Sequence, residues 1–392
     1  ILERENALQV AEDEITDLSD NLINTYEELS LIYRLSGSIK LTRDPWQFIE
    51  EDVCQELLEV MDLQAVSAVI YPHMAENEAL VFATGAGVVL DEEEVTSFVE
   101  DHLLPKFIDN PSGVVLNRFR PPWEAPSFNA VERLVAIPLI GDDAPIGVLL
   151  AMNKREGEFN SVDVKLLSAV ANHATTFLVN HRLYAELQEL LLGLLEALTA
   201  SIDAKDPYTS GHSKRVARMA QMVAERMGLS PERARQIYIA GLLHDVGKIG
   251  MPEHILCKPD RLTEDEYRTV KRHPEIAGKI LSGIRPLEEM IEGILTHHER
   301  IDGKGYPRGI GGDAIPLEGR IIGLADCFDA MTSDRCYRKA MSPAVAVAEI
   351  SKHSGQQFDT VVVDTFLAMD PDAVFSELWA LTHHGARQSV EK

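Results

Sequence analysis

Between residues 161 and 202 apolar side chains return at every seventh position: Val170, Phe177, Tyr184, Leu191 and Leu198, with Leu187 and Leu194 on the companion position. A seam of that kind specifies a long helix with one narrow apolar edge, and Gly193 is its only helix breaker. His173 and Asn180 are polar breaks in the seam, read as setting register rather than holding a ligand. A helix this long leaves one domain and enters the next, so it divides the chain into an N-terminal and a C-terminal part. A second heptad run opens the chain, with Ile1, Leu8, Ile15, Leu22 and Leu29 at one seam position and Ala11, Leu18 and Ile32 at the other. Arg4 and Thr25 interrupt it. Both seams lack another apolar surface to meet, which predicts a parallel homodimer joined along residues 1–36 and 165–200.

The 392 residues are enough for two or three domains with their own cores. The expected division is an N-terminal coiled-coil helix (1–40), a mixed α/β domain (41–160), the connecting helix (161–200), a C-terminal helical domain (201–370) and a tail (371–392). A net charge of -26 argues against general affinity for nucleic acid, so an anionic substrate needs a local basic patch. Cys54, Cys257, Cys327 and Cys336 show no CxxC spacing, which predicts a reduced, cytoplasmic chain. The most apolar runs, 134–152 and 187–202, are broken by Asp142-Asp143 and by Glu189 and Glu196, so no membrane span is expected. The chain opens at Ile1 without a methionine and is expected to be a fragment of a longer protein.

From Asp44 to about Lys154 the periods mix. Trp46 to Met61 reads as an amphipathic helix; Ala65–Tyr71, Leu80–Thr84, Leu134–Ile140 and Ile146–Asn153 read as strands separated by Gly-Asp and Gly-Ala-Gly turns. The IPLI strand, the GDDAPIGVLLAMN hairpin and the Phe159-led helix look like a GAF domain, which implies an antiparallel sheet with helices and a small-molecule sensor. Its ligand is unknown from sequence. Cys54 and His73 read as a core cysteine and a turn histidine rather than a haem or bilin site.

Beyond Ile202 the pattern is helical and carries the chemistry. His212, His244, Asp245, His273, His297, His298 and Asp326 stand out, an imidazole and carboxylate set suited to iron, manganese, nickel or zinc. One tetrahedral structural zinc leaves several of the seven unused, whereas two adjacent metals use them all. Gly303, Gly305, Gly309, Gly311 and Gly312 form a loop around Tyr306, expected to let backbone approach a ligand closely. Arg335 and Arg338 offer planar forks for phosphate oxygens, and Lys304, Arg308 and Lys339 add local positive charge.

These residues lie in segments that resemble the HD-GYP family of HD-domain phosphohydrolases: DPYTSGHSKRVARMA from 206, AGLLHDVGKIGMPEHIL from 240, RHPEIAGKIL from 272, and HHERIDGKGYPRGIGGDAIPLEGRIIGLADCFDAMTSDRCYR from 297. The resemblance covers roughly 195–370. It implies an all-α domain, the metal ligands His212, His244, Asp245, His273, His297, His298 and Asp326, and hydrolysis of cyclic di-GMP to linear pGpG, with onward hydrolysis to GMP left open. His244, Asp245 and Lys248 would be catalytic, Asp245 bridging two divalent ions, most readily iron or manganese, that lower the pKa of a bridging water from about 16 toward 7. Asp206, Lys248, Tyr306, Arg335 and Arg338 would contact substrate, Lys248 lying three residues after Asp245 on nearly the same helix face. Two departures from the family pattern are Tyr208, where many members carry a glutamate serving a third metal, and Cys336, where proline is usual. Tyr208 therefore predicts two metals rather than three. The alternatives are another cyclic dinucleotide such as cyclic GMP-AMP, or a non-catalytic dinucleotide-sensing module.

Overall fold

A computed structural model of the protein describes residues 15, 30, 33–34, 44–71, 80–85, 90–109, 112–121, 125–142, 144–204, 211–256, 258, 260–334 and 339–383. The N-terminal heptad run apart from Ile15, and His73, Asp206, Tyr208, Cys257, Arg335, Cys336 and Arg338, lie outside the described residues. The chain forms two compact units, 1–188 and 189–392.

The first unit is built on one antiparallel sheet of five strands: β1 (Leu63–Ile70), β2 (Leu80–Gly85), β3 (Val114–Leu116), β4 (Leu134–Gly141) and β5 (Ala144–Lys154), in the order β2-β1-β5-β4-β3. Strands β1, β4 and β5 read as continuous apolar runs because both faces are covered, and the period of two sorts their side chains into two cores. Val66, Ala68, Ile137 and Leu149 face one core with Phe48, Leu57 and Phe177; Ala65, Val69, Ala136 and Leu150 face the other with Phe98, Phe107 and Phe128. The sequence reading missed β3, whose three residues are too few to show a period. The helix expected over 46–61 starts at Pro45, where Asp44 accepts from the Trp46 and Gln47 amides, and is wound as a π-type turn over Phe48–Cys54. Cys54 is buried in the first core, and burial pushes its thiol up to about 12, as a core cysteine requires.

Helix α1 (Ser161–Asp203) has 43 residues and is about 65 Å long. Its seam is divided. Val170 and Phe177, expected to face a partner helix, are 0% and 2% exposed because they pack on the sheet of the first unit. Tyr184, Leu187, Leu191, Leu194 and Leu198, by contrast, are between 41% and 58% exposed. A seven-residue period fits a domain core and a coiled coil alike; only the covering sheet separates the two uses.

The second unit is all helical among its described residues: α2 (His212–Arg226), α3 (Pro231–Leu243), α4 (Glu264–Val270), α5 (His273–Leu281), α6 (Glu288–Thr296), α7 (Leu317–Thr332), α8 (Pro343–Lys352), α9 (Thr360–Leu367) and α10 (Pro371–His383), with shorter turns between. One core joins them, including Val216, Ile237, Ile294, Ile321, Phe328 and Phe366. Residues 371–383, expected to be a tail, form α10, whose Val374 and Leu378 complete that core and whose Glu377 pairs with Arg218 at 2.7 Å. No described helix is long and apolar enough to cross a membrane.

Candidate metal centre

The site is assembled from helix ends. His212 is the first residue of α2, His244 and His297 cap the C-termini of α3 and α6, His273 opens α5 ahead of Pro274, and Asp326 projects from within α7. Asp245 follows α3 directly, and a 3-10 turn, Val246–Gly250, carries the chain away. Gly247 makes this junction possible: a Cβ there would collide with the His273 carbonyl, so only glycine lets the Asp245 turn seat on the start of α5.

All seven sequence-selected side chains converge. They fall into three overlapping groups whose ligand atoms lie within 4.8 Å of one another: His273, His297 and His298; His212, His244 and Asp326; and His244, Asp245 and His297. The two oxygens of Asp245 face different groups. Its Oδ2 lies 3.7 Å from His212 Nε2 and 3.3 Å from His244 Nε2, whereas Oδ1 lies 3.3 Å from His273 Nε2. Asp326 divides its oxygens similarly, Oδ1 3.3 Å from His212 Nε2 and Oδ2 3.8 Å from His298 Nδ1.

Tautomers are set by the hydrogen bonds. His244, His273 and His297 each donate Nδ1–H to a backbone carbonyl three residues earlier, Gly241 (2.6 Å), Val270 (2.9 Å) and Ile294 (2.6 Å). A carbonyl can only accept, so these three rings present unprotonated Nε2 lone pairs to the centre when neutral, the form that binds a metal. His244 Nε2 and Asp245 Oδ1 are buried without a hydrogen-bond partner, which is costly unless a cation completes them. The donor set thus fits divalent transition metals.

The electrostatics point the same way. Burial opposes ionisation of Asp245 and Asp326, yet Lys248 and His244 hold Asp245, and His212 and His298 hold Asp326, well below the usual carboxylate range. Burial, then the field of neighbouring imidazoles, lowers His297, and burial takes His298 down to about 3. Burial also disfavours the charged form of His212, but Asp326 and Asp329 outweigh it and raise the ring to about 10.

Other sequence expectations meet a different geometry. Lys248 is not on a continuous α-helix with Asp245: the 3-10 turn brings its Nζ back onto Asp245 Oδ2. Tyr306 lies beside the centre, its ring 4.7 Å from that of His298. Arg308 is bound to Glu292 at 2.7 and 3.1 Å, so it adds little free positive charge. Within the glycine loop, Gly305 serves internal packing, since a Cβ there would strike the backbone of Glu299 and Arg300.

Three residues were missed. Asp329, 3% exposed, accepts from His212 Nδ1 at 2.7 Å and from Arg215 Nε at 2.6 Å, tying α7 to α2. The spacings were legible: Asp329 follows Asp326, and Arg215 follows His212, by three residues, one helical face each. Glu299 pins the loop by accepting from the Arg308 and Gly309 amides at 2.6 and 3.1 Å. Asp203 accepts from Ser213 N (3.2 Å) and Oγ (2.9 Å), bracing the start of α2.

Comparison with known proteins places these two units. Residues 196–362 match the HD domain family and residues 49–179 the GAF domain family. Over 184 residues the chain is 43% identical to the cyclic di-GMP phosphodiesterase response regulator RpfG of Xanthomonas campestris pv. campestris, covering 46% of this chain and 49% of that protein. Over 191 residues it is 39% identical to a cyclic di-GMP phosphodiesterase of Thermotoga maritima, covering 48% and 52%. Over 163 residues it is 41% identical to the 3'3'-cGAMP-specific phosphodiesterase 3 of Vibrio cholerae, covering 41% and 35%. The chain thus spans about half the length of the first two relatives and about a third of the last. Residues 49–179 form a GAF domain, and residues 196–362 form an HD domain.

Proposed function

We propose that this chain is a cytoplasmic, metal-dependent phosphodiesterase that hydrolyses cyclic di-GMP to linear pGpG under control of its GAF domain. The observation that carries the reading is the pair of oxygens on Asp245, each turned toward a different set of imidazoles. His212, His244, Asp326 and Asp245 Oδ2 would hold one divalent cation, and His273, His297, His298 and Asp245 Oδ1 a second. Imidazole and carboxylate without thiolate suit iron or manganese, with nickel or zinc as substitutes. When bound, such a pair supplies a neutral-pH nucleophile from water and stabilises charge on phosphoryl oxygens.

The chain's own groups would do the rest. The backbone carbonyls of Gly241, Val270 and Ile294 hold three imidazoles in one tautomer, so the site is preorganised. Lys248, adjacent to Asp245, provides an ammonium for a phosphate oxygen or the leaving group. Tyr306 borders a cavity that His297 and His298 also line, and Asp206, Arg335 and Arg338 are proposed substrate contacts on the sequence resemblance alone. The exposed leucines of α1 would pair with those of a second chain, giving the parallel dimer through which a GAF ligand acts.

A second substrate, cyclic GMP-AMP, is supported by the relatives from Vibrio cholerae that bear its name. Incubating metal-loaded protein with each cyclic dinucleotide and separating the products distinguishes them. Cleavage of cyclic di-GMP by the wild type and none by His244→Ala or Asp245→Ala is the expected result. Turnover near the wild-type rate in either variant overturns the metal-centred reading.

A further inference from the structure

A cavity of about 410 Å³ opens beside His297 and His298, within the usual range for small-molecule sites. Two of the four cations lining it are neutralised by carboxylates: Arg300 by Asp302 at 2.8 Å, and Arg320 by Asp359 at 2.6 Å. Lys271, in the same wall, forms no ion pair among the described residues. Its ammonium lies 4.5 Å above the ring of Tyr267 and 5.4 Å from that of Tyr306. Local structure fixes the pairing. Helix α4 is opened by a capping box between Thr263 and Glu266, and Lys271 at its C-terminus is four residues after Tyr267, so both side chains share one face. Two residues later His273 enters the metal centre, so the lysine stands at a set distance from the chemistry. Contacts run from His298 to Tyr306, to Lys271 and to Tyr267.

We propose that Tyr267 and Lys271 form the guanine subsite of this cavity, the ring stacking on the base and the ammonium donating to its O6 and N7. A lysine has three donors and no acceptor. Guanine offers two adjacent acceptors on that edge, whereas adenine offers N7 beside an amino donor that the ammonium repels. Stacking on Tyr267 tolerates any base. Selectivity therefore resides in Lys271 and general affinity in Tyr267, with the ring of Tyr306 holding the lysine between them.

The inference rests on the phosphodiesterase reading, and the test separates the two. Metal-loaded full-length wild type, Lys271→Met, Lys271→Arg, Tyr267→Ala and Tyr267→Phe are assayed on cyclic di-GMP and cyclic di-AMP. Binding of GMP and AMP is measured in parallel by calorimetry. Lys271→Met is expected to raise KM for cyclic di-GMP about tenfold, with the effect on KM rather than kcat, and to leave KM for cyclic di-AMP within about twofold. Lys271→Arg restores most of the preference. Tyr267→Ala raises both KM values alike, while Tyr267→Phe, which keeps the ring, raises neither. An unchanged KM for cyclic di-GMP in Lys271→Met, equal losses on both substrates, or loss of bound metal from that variant overturns the subsite. If the wild type cleaves neither of these substrates nor cyclic GMP-AMP, the phosphodiesterase reading fails. Calorimetry then decides alone: a preference for GMP over AMP that Lys271→Met abolishes upholds the subsite, and equal binding of the two overturns it.

Discussion

Replacing Asp329 by asparagine separates the scaffold of this centre from its chemistry. Asp329 is buried and spends its two oxygens on His212 Nδ1 (2.7 Å), Arg215 Nε (2.6 Å) and Arg215 Nη2 (3.0 Å). Asparagine keeps the shape but removes the charge, and turns one oxygen into an NH2 donor that must face an N–H of either His212 or Arg215. Removing one partner of a buried ion pair costs roughly 3–5 kcal/mol; because the amide oxygen still accepts one bond, about 3 kcal/mol is expected for the C-terminal unit without metal. His212 loses the acceptor that orients it, for which metal affinity falls about 10–100-fold. Urea unfolding in chelator reads the first quantity, and competition with a chromophoric chelator reads the second. The double variant Arg215→Met with Asp329→Leu distinguishes the two roles. An apolar pair of similar volume restores stability to within about 1 kcal/mol, whereas metal affinity stays low because His212 still lacks its acceptor. Full recovery of metal affinity in the double variant would falsify the claim that Asp329 acts through His212.

Gly247→Ala sets a methyl against the His273 carbonyl, so it is expected to destabilise the C-terminal unit by about 1–3 kcal/mol and to weaken metal binding; wild-type affinity in that variant refutes the close-approach argument. Leu191→Glu with Leu194→Glu is expected to convert a dimer to a monomer by light scattering without changing the circular dichroism of either unit, and a persistent dimer shows that the seam lies elsewhere. Elemental analysis of anaerobically purified protein, with anomalous scattering from crystals, is expected to give two metals per chain. Three fully occupied positions would show that Tyr208 does not limit the count.

The seven ligand-type residues were legible because histidine pairs and an His-Asp step are rare in an ordinary helical pattern, and each stands at a recognisable place: before a proline, after a helix, or on a helical face. The antiparallel sheet was legible where strands were long, and β3 was not because three residues carry no period. What sequence could not assign was the second partner of each side chain. The same seven-residue seam places Val170 and Phe177 under a sheet and leaves Leu191 and Leu194 exposed, since periodicity records which face is apolar and not what covers it. Lys248 read as a helical neighbour of Asp245 until Gly247 and the α5 N-terminus turned the chain into a 3-10 step. Asp329 is one more acidic residue in an acidic chain until packing of α7 on α2 brings it to His212 and Arg215, 117 and 114 positions away. Residue type and local spacing thus determined which atoms can bind a metal. Only the tertiary structure decided which oxygens and nitrogens meet, because burial, tautomer and charge balance depend on contacts between elements distant in the chain.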